Sequence, residues 1–186
     1  SRVLQFTSFS FVMAAGDIFS ALCSGAGLYV GTRESLLPGD PLTNFLQKNR
    51  IDIICMPSSA LSLLSPEKVR TKNILVAAEP CPADVMKKWS AERCFFIGYG
   101  QTEVTGGATS KRCQASDTIP SIGRPNPNMS AYILDEELQP VPAGVPGEVH
   151  IGGAGVTRGY INRPELAKET FFPNPFSDEP GAMLCR

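Results

Sequence analysis

Five consecutive positions, Tyr99-Gly100-Gln101-Thr102-Glu103, carry an aromatic ring, a hydroxyl and a carboxylate next to glycine. The residues before them, Phe95, Phe96 and Ile97, read as the end of a short buried strand. Gly98 and Gly100 let the backbone turn sharply there and let a ligand come close. Ligands of open α/β sheets gather at the carboxyl ends of strands. At such an end Tyr99 would stack on a base, Thr102 would meet a phosphate and Glu103 would hold Mg2+, a cation that prefers oxygen ligands. The same residues also read as an aromatic turn in which Thr102 caps the next helix.

Such a cluster needs a scaffold, and residues 1 to about 105 alternate between short strands and short helices. Val3 to Phe11 is strand-like, and Ile18, Phe19 and Leu22 recur at helical spacing. Gly27 to Gly31 is a strand closed by glycine. Asp40-Pro41 starts a helix with a capping carboxylate and proline at the first position. Ile51 to Met56 is a near-continuous apolar run, as expected of a strand buried on both faces. Ser58 or Ser59 can cap a short helix through Leu64. Asn73 to Ala78 is the next strand, and Pro82 to Trp89 a helix with Val85 and Trp89 inward. Arg93 to Ile97 leads into the opening motif. This alternation argues for a parallel sheet flanked by helices, an α/β subdomain of flavodoxin-like type over residues 1–115.

After residue 115 prolines 120, 125, 127, 140, 142 and 146 break the chain into short pieces. Ala131 to Asp135 and Gly147 to Gly152 look like strands joined by a polar turn near Glu136-Glu137. Residues 116–186 therefore read as a β-rich, barrel-like portion. Arg163-Pro164-Glu165 opens a short helix through Thr170, and the tail from Pro173 shows no closing element. His150 is expected to be half-exposed on its strand.

Of the 186 residues, 42% are hydrophobic and 19% charged, so the chain can bury a core. A net charge of −1 with no basic run argues against a nucleic-acid partner. No apolar stretch approaches transmembrane length, so no membrane association is expected. The start carries neither a signal peptide nor an initiating Met, and an internal fragment of a longer chain is expected. The cysteines at 23, 55, 81, 94, 113 and 185 show no CxxC pair and no metal spacing with His150. They read as thiols in a reducing cytoplasm.

Several stretches resemble a known family. Tyr99-Gly100-Gln101-Thr102-Glu103 is similar to the YGPTE core motif of adenylate-forming enzymes, specifically the adenylation domains of nonribosomal peptide synthetases. The stretch from Gly147 to Tyr160 resembles the later motif GELxIxGxGVARGYL, and Gly123-Arg124-Pro125 matches the GRP turn. Phe9-Ser10-Phe11 through Leu22 looks like the early substrate-pocket motif. Two departures stand out: Gln101 replaces the usual proline, and Ile97 replaces a polar residue.

The resemblance implies a reaction. A carboxylic acid attacks the α-phosphate of MgATP, forming an acyl adenylate and releasing pyrophosphate. The acyl group then passes to the phosphopantetheine thiol of a carrier protein domain. On the matching positions Tyr99 would stack on adenine, Thr102 would bond phosphate oxygen and Glu103 would coordinate Mg2+. Ala78, Glu79 and Pro80 would edge the adenine. The family's phosphate loop would lie upstream of Ser1, and its TGD motif and catalytic lysine beyond Arg186, so the fragment alone is expected to be inactive. Rival readings are an acyl-CoA synthetase-like ligase and a noncatalytic nucleotide-binding module.

The acid pocket, by the same resemblance, takes Val12, Met13, Gly16, Cys55, Leu75, Ala77, Gly98, Gly106 and Gly107. Val12 stands where amino-acid-activating members carry the aspartate that holds the α-ammonium. A buried ammonium needs a compensating charge, and valine has none. An acid without an α-amino group follows, and an apolar lining with four glycines suits a bulky aryl keto or hydroxy acid. Asp17, five residues on, is expected to start the helix rather than replace the lost carboxylate. Some of the glycines, Gly106 and Gly107 above all, can serve only backbone turns. A structural salt bridge is expected at Arg158.

Overall fold

The computed structural model describes every residue from Ser1 to Arg186. They form two compact units, Ser1–Tyr99 with Lys111–Gly123, and Gly100–Ser110 with Arg124–Arg186.

In the first unit, strands β1 (Arg2–Gln5), β2 (Gly27–Val30), β3 (Ile53–Met56), β4 (Asn73–Val76) and β5 (Cys94–Tyr99) pair in parallel. Their order is β2-β1-β3-β4-β5, and the chain returns to this unit at Lys111, within β6 (Thr109–Cys113). That is the flavodoxin-like order, in which the connections change direction between β1 and β3 and ligands bind at that switch. Helices α1 (Met13–Cys23), α2 (Asp40–Asn49), α3 (Ser58–Ser62) and α4 (Ala83–Ser90) connect the strands.

The register rows Ile54↔Ile74↔Phe95 and Met56↔Val76↔Ile97 are buried. They share one core with Leu42 and Leu46 of α2, Leu61 of α3, and Val85, Met86 and Trp89 of α4. The neighbouring row, Cys55↔Leu75↔Phe96, stays partly exposed. The apolar run at 51–56 is thus buried on one face and half-buried on the other, because its helical cover collects on one side. Trp89 anchors α4 as expected and carries the Arg93 guanidinium 5.1 Å above its ring. Arg93 in turn donates to the carbonyls of Pro66, Val69 and Thr71, tying down the loop before β4.

The first strand ends at Gln5 instead of running to Phe11, and Asp17 explains the difference. Its carboxylate accepts hydrogen bonds from the backbone N–H groups of Phe6 (3.2 Å) and Thr7 (3.1 Å), which draws those amides out of the ladder. The helix begins at Met13, so Asp17 lies in its second turn and is 2% exposed, not at its start.

In the second unit, β8 (Met129–Leu134), β9 (Glu148–Gly153), β10 (Phe171–Pro173) and β11 (Met183–Cys185) make an antiparallel sheet in the order β10-β11-β9-β8. The two-residue β7 (Arg124–Pro125) pairs with Thr109 and Ser110, and α5 (Pro164–Thr170) precedes β10. The polar turn after β8 is held by Asp135, whose Oδ1 accepts from the amides of Glu137 and Gln139. Two expectations are corrected here. The tail does supply an element, since β11 sits between β9 and β10. His150 is wholly buried, because β9 is an inner strand, and its ring meets Phe172 edge-on at 5.4 Å. No helix is long and apolar enough to cross a membrane.

Candidate active site

A cavity of about 240 Å3 opens in the first unit at the carboxyl ends of β1, β3 and β4, at the switch point. Phe6, Thr7 and Ser8 line it after β1, Cys55, Met56 and Pro57 at the end of β3, and Ala77 and Ala78 after β4; Phe11 and Met13 complete it. None of these side chains is charged. Asp17 stands behind the wall and shapes it through the Phe6 and Thr7 amides. Burial pushes the Asp17 carboxyl up, against the pull of the Thr7 and Phe6 hydrogen bonds. Burial, reinforced by the Asp17 charge, pushes the Cys55 thiol up to about 12, so the pocket keeps a neutral thiol at ordinary pH.

Beside the cavity runs the loop Ala78-Glu79-Pro80. Ala78 has φ 73°, a left-handed conformation that a residue with Cβ adopts only when held. The holding group is the Glu79 carboxylate, which accepts from the Ser59 backbone N–H at the start of α3. Ser58 Oγ lies 2.9 Å from both Glu79 Oε1 and Pro80 O. The cap of α3 therefore comes from Glu79, not from Ser58 or Ser59. The Ser59 amide holds the Glu79 carboxyl below the usual range. Register Val76↔Ile97 sets this loop one step past the end of β4, next to the strand that closes with Tyr99.

Thr102 and Glu103 lie together in the second unit on one 3-10 turn, Thr102–Val104. The turn is tight: Gln101 O accepts from the N–H groups of Val104 and Gly106. A Cβ at Gly100 would stand 2.0 Å from Gly106 O, so only glycine fits. Residues 155–160 brace the turn from far along the chain. Thr105 Oγ1 donates to Gly155 O at 2.7 Å, Thr157 N–H to Glu103 O at 2.8 Å, and Tyr160 Oη to Glu103 Oε1 at 2.5 Å. The hydrogen bond to Glu103 pushes the Tyr160 phenol up from its ordinary value. Cys185, pushed up to about 11 by burial and by the Glu103 charge, lies with Sγ 3.6 Å from Gln101 Oε1.

No group of three or more His, Cys, Asp or Glu side chains is arranged to hold a metal. One carboxylate and one hydroxyl are hard oxygen donors, a set that fits Mg2+ carried in with phosphate oxygens. Of the expected acid-pocket residues, Met13, Cys55 and Ala77 line the cavity, while Val12, Gly16, Leu75 and Gly98 belong to the same unit without forming its walls. A Cβ at Gly16 would meet open space. Gly106 and Gly107 belong to the second unit, and Gly106 has φ 82°, as a turn requires. Arg158 makes no ion pair and is exposed, correcting the salt bridge expected there. Sequence reasoning missed Phe6, Thr7, Ser8 and Pro57 as walls and Tyr160 as the partner of Glu103. Position after a buried strand could have flagged the first four, but no local signal marks the last.

A family described as "AMP-binding enzyme" matches residues 1–161. A linear gramicidin synthase of Brevibacillus parabrevis is 46% identical over 100% of this chain, which spans 4% of that protein. The N-terminal subdomain of Klebsiella oxytoca NpsA superposes with a TM-score of 0.84 at 24% identity, covering 100% of this chain and 49% of that one. The Vibrio cholerae adenylation domain AlmE, solved with glycyl-adenosine-5'-phosphate, gives 0.82 at 25% identity, over 100% and 37%. The chain thus spans a small part of that synthase and half or less of these solved chains.

Proposed function

Because the chain belongs to the AMP-binding enzyme family, we propose that it is part of an adenylation domain in nonribosomal peptide synthesis. Such a domain activates a carboxylic acid with ATP as acyl-AMP and loads it on the phosphopantetheine of a carrier protein. The observation that carries this reading is the uncharged cavity at the β1/β3 switch, with Ala78 in its wall and β5 paired to β4 next along the sheet. The cavity takes the acid's side chain. Backbone at Ala78, Glu79 and Pro80 edges adenine while the Tyr99 ring stacks on it. Thr102 bonds a phosphate oxygen and Glu103 holds Mg2+, which when bound offsets the charge that develops as the carboxylate oxygen joins the α-phosphorus and pyrophosphate leaves.

The acid we assign is an aryl 2-keto or 2-hydroxy acid. Cavities of about 150 Å3 accept a benzene ring, and this one, at about 240 Å3, leaves room for a short chain as well. Val12 supplies no charge, and both hydrogen bonds to Asp17 Oδ2 come from the backbone of the wall. The test is pyrophosphate exchange by the complete adenylation domain over a set of matched acids. Phenylpyruvate or its 2-hydroxy analogue should turn over and phenylalanine should not. Preference for the amino acid overturns the substrate reading and makes Asp17 the counter-charge. Glu103→Gln should lower exchange about a hundredfold; unchanged exchange removes Glu103 from the chemistry.

A further inference from the structure

Tyr160 lies 57 residues from Glu103 in sequence, yet its hydroxyl donates to Glu103 Oε1. The ring is set by Phe171, tilted against it with centroids 5.7 Å apart. The backbone of the same residue is also gripped, since Thr157 N–H donates to Glu103 O. Glu103 is thus fixed at both ends by one segment, residues 157–160, and its second carboxylate oxygen, Oε2, makes no hydrogen bond in the protein. A carboxylate with one oxygen occupied by a donor and one left open is oriented for a single further ligand. A hydroxyl fixing a ligating carboxylate from behind commonly changes metal affinity ten- to a hundredfold.

We propose that Tyr160 is the positioning residue of the Glu103 carboxylate: it occupies Oε1 and presents Oε2 to the magnesium ion that accompanies ATP. This rests on the reading of Glu103 as the Mg2+ ligand. Tyr160 touches neither substrate nor metal and acts only through Glu103. Its ring stays in place in Tyr160→Phe, which removes the hydroxyl alone.

The test measures binding without turnover. Affinities of the complete adenylation domain for MgATP and for metal-free ATP are determined by calorimetry with no acid present, and their ratio is the readout. Glu103→Gln should reduce the ratio to near that of a metal-blind site. Tyr160→Phe should reduce it about tenfold, leaving metal-free ATP affinity and the melting temperature unchanged. The double variant should equal Glu103→Gln alone, because two residues acting as one unit are not additive. A normal ratio in Tyr160→Phe while Glu103→Gln lowers it overturns the role of Tyr160 and spares that of Glu103. A normal ratio in Glu103→Gln overturns the metal reading, and this proposal with it. A double variant worse than Glu103→Gln shows a general packing role and also overturns the proposal.

Discussion

The acid cavity and the Glu103 turn are built by opposite means. Most of the cavity wall lies at or just past the ends of β1, β3 and β4, where parallel register brings it together, and Phe11 and Met13 at the start of α1 close it. No charged side chain lines it, and Asp17 works from behind by holding two amides. The turn at 102–104 is closed locally by backbone hydrogen bonds to Gln101 O and Thr102 O, and its outer side is braced by residues 50 to 57 positions away. One region gets its shape from strand ends; the other gets its orientation from long-range hydrogen bonds. A shape set by backbone register tolerates side-chain change, whereas an orientation set by single hydrogen bonds does not.

The largest effect should come from attacking the turn. Gly100→Ala puts a Cβ 2.0 Å from Gly106 O, a backbone atom that cannot rotate away. The cost should be about 3 kcal/mol, at the upper end for overpacking, read from the urea midpoint at constant m-value. Hydrogen exchange sharpens the contrast: the amides of Gly106 and Thr157 should lose protection while those of Phe6 and Thr7 keep theirs. Equal loss at both sets would show that the two regions stand or fall together.

Asp17→Ala is the converse, and smaller. It leaves the N–H groups of Phe6 and Thr7 without their acceptor, which costs about 1–3 kcal/mol when such donors stay buried. Because burial raises the Asp17 pKa, ionising it in the folded chain is itself unfavourable at neutral pH, and that offsets part of the loss. Exchange should now quicken at Phe6 and Thr7 and leave Thr157 alone. Should the Phe6 and Thr7 amides remain protected, the wall is held by something other than Asp17.

The same contrast decides what could be read from the sequence. The alternation of strands and helices to residue 105 was legible because each element carries its own apolar period, and Trp89 could be placed inward from that period alone. Asp17 was misread because a carboxylate near a helix start looks like a cap; here it caps nothing and holds a preceding loop across ten residues. His150 looked half-exposed because strand alternation does not say whether a strand is at the edge or inside a sheet, and β11, which makes β9 an inner strand, was not seen. Ser58 and Ser59 looked like caps, but Glu79, about twenty positions on, does that work. Each error has the same origin: a local motif stood in for a partner distant in sequence. The Glu103–Tyr160 contact is the extreme case, for two recognisable motifs were both legible while their meeting was not.

The smallest effect tests whether the cavity is closed. Cys55 borders it, and burial first, then the Asp17 charge, pushes its thiol up to about 12. A folded pKa above the ordinary value of about 9 means that the folded chain keeps a proton the unfolded chain releases. Its contribution to stability is therefore complete below pH 9 and is lost as pH rises toward 12. Alkylation follows the thiolate, so iodoacetamide labelling of the peptide bearing Cys55, followed by mass spectrometry, should stay slow through pH 9 and climb only toward 12. Asp17→Asn removes the second cause and should move that rise to lower pH by less than burial moves it up. Exposed Cys23 provides the internal comparison within the same chain. Labelling of Cys55 that tracks Cys23 at every pH would mean that water reaches the wall freely, and a cavity wetted in that way would have no preference for an aryl group.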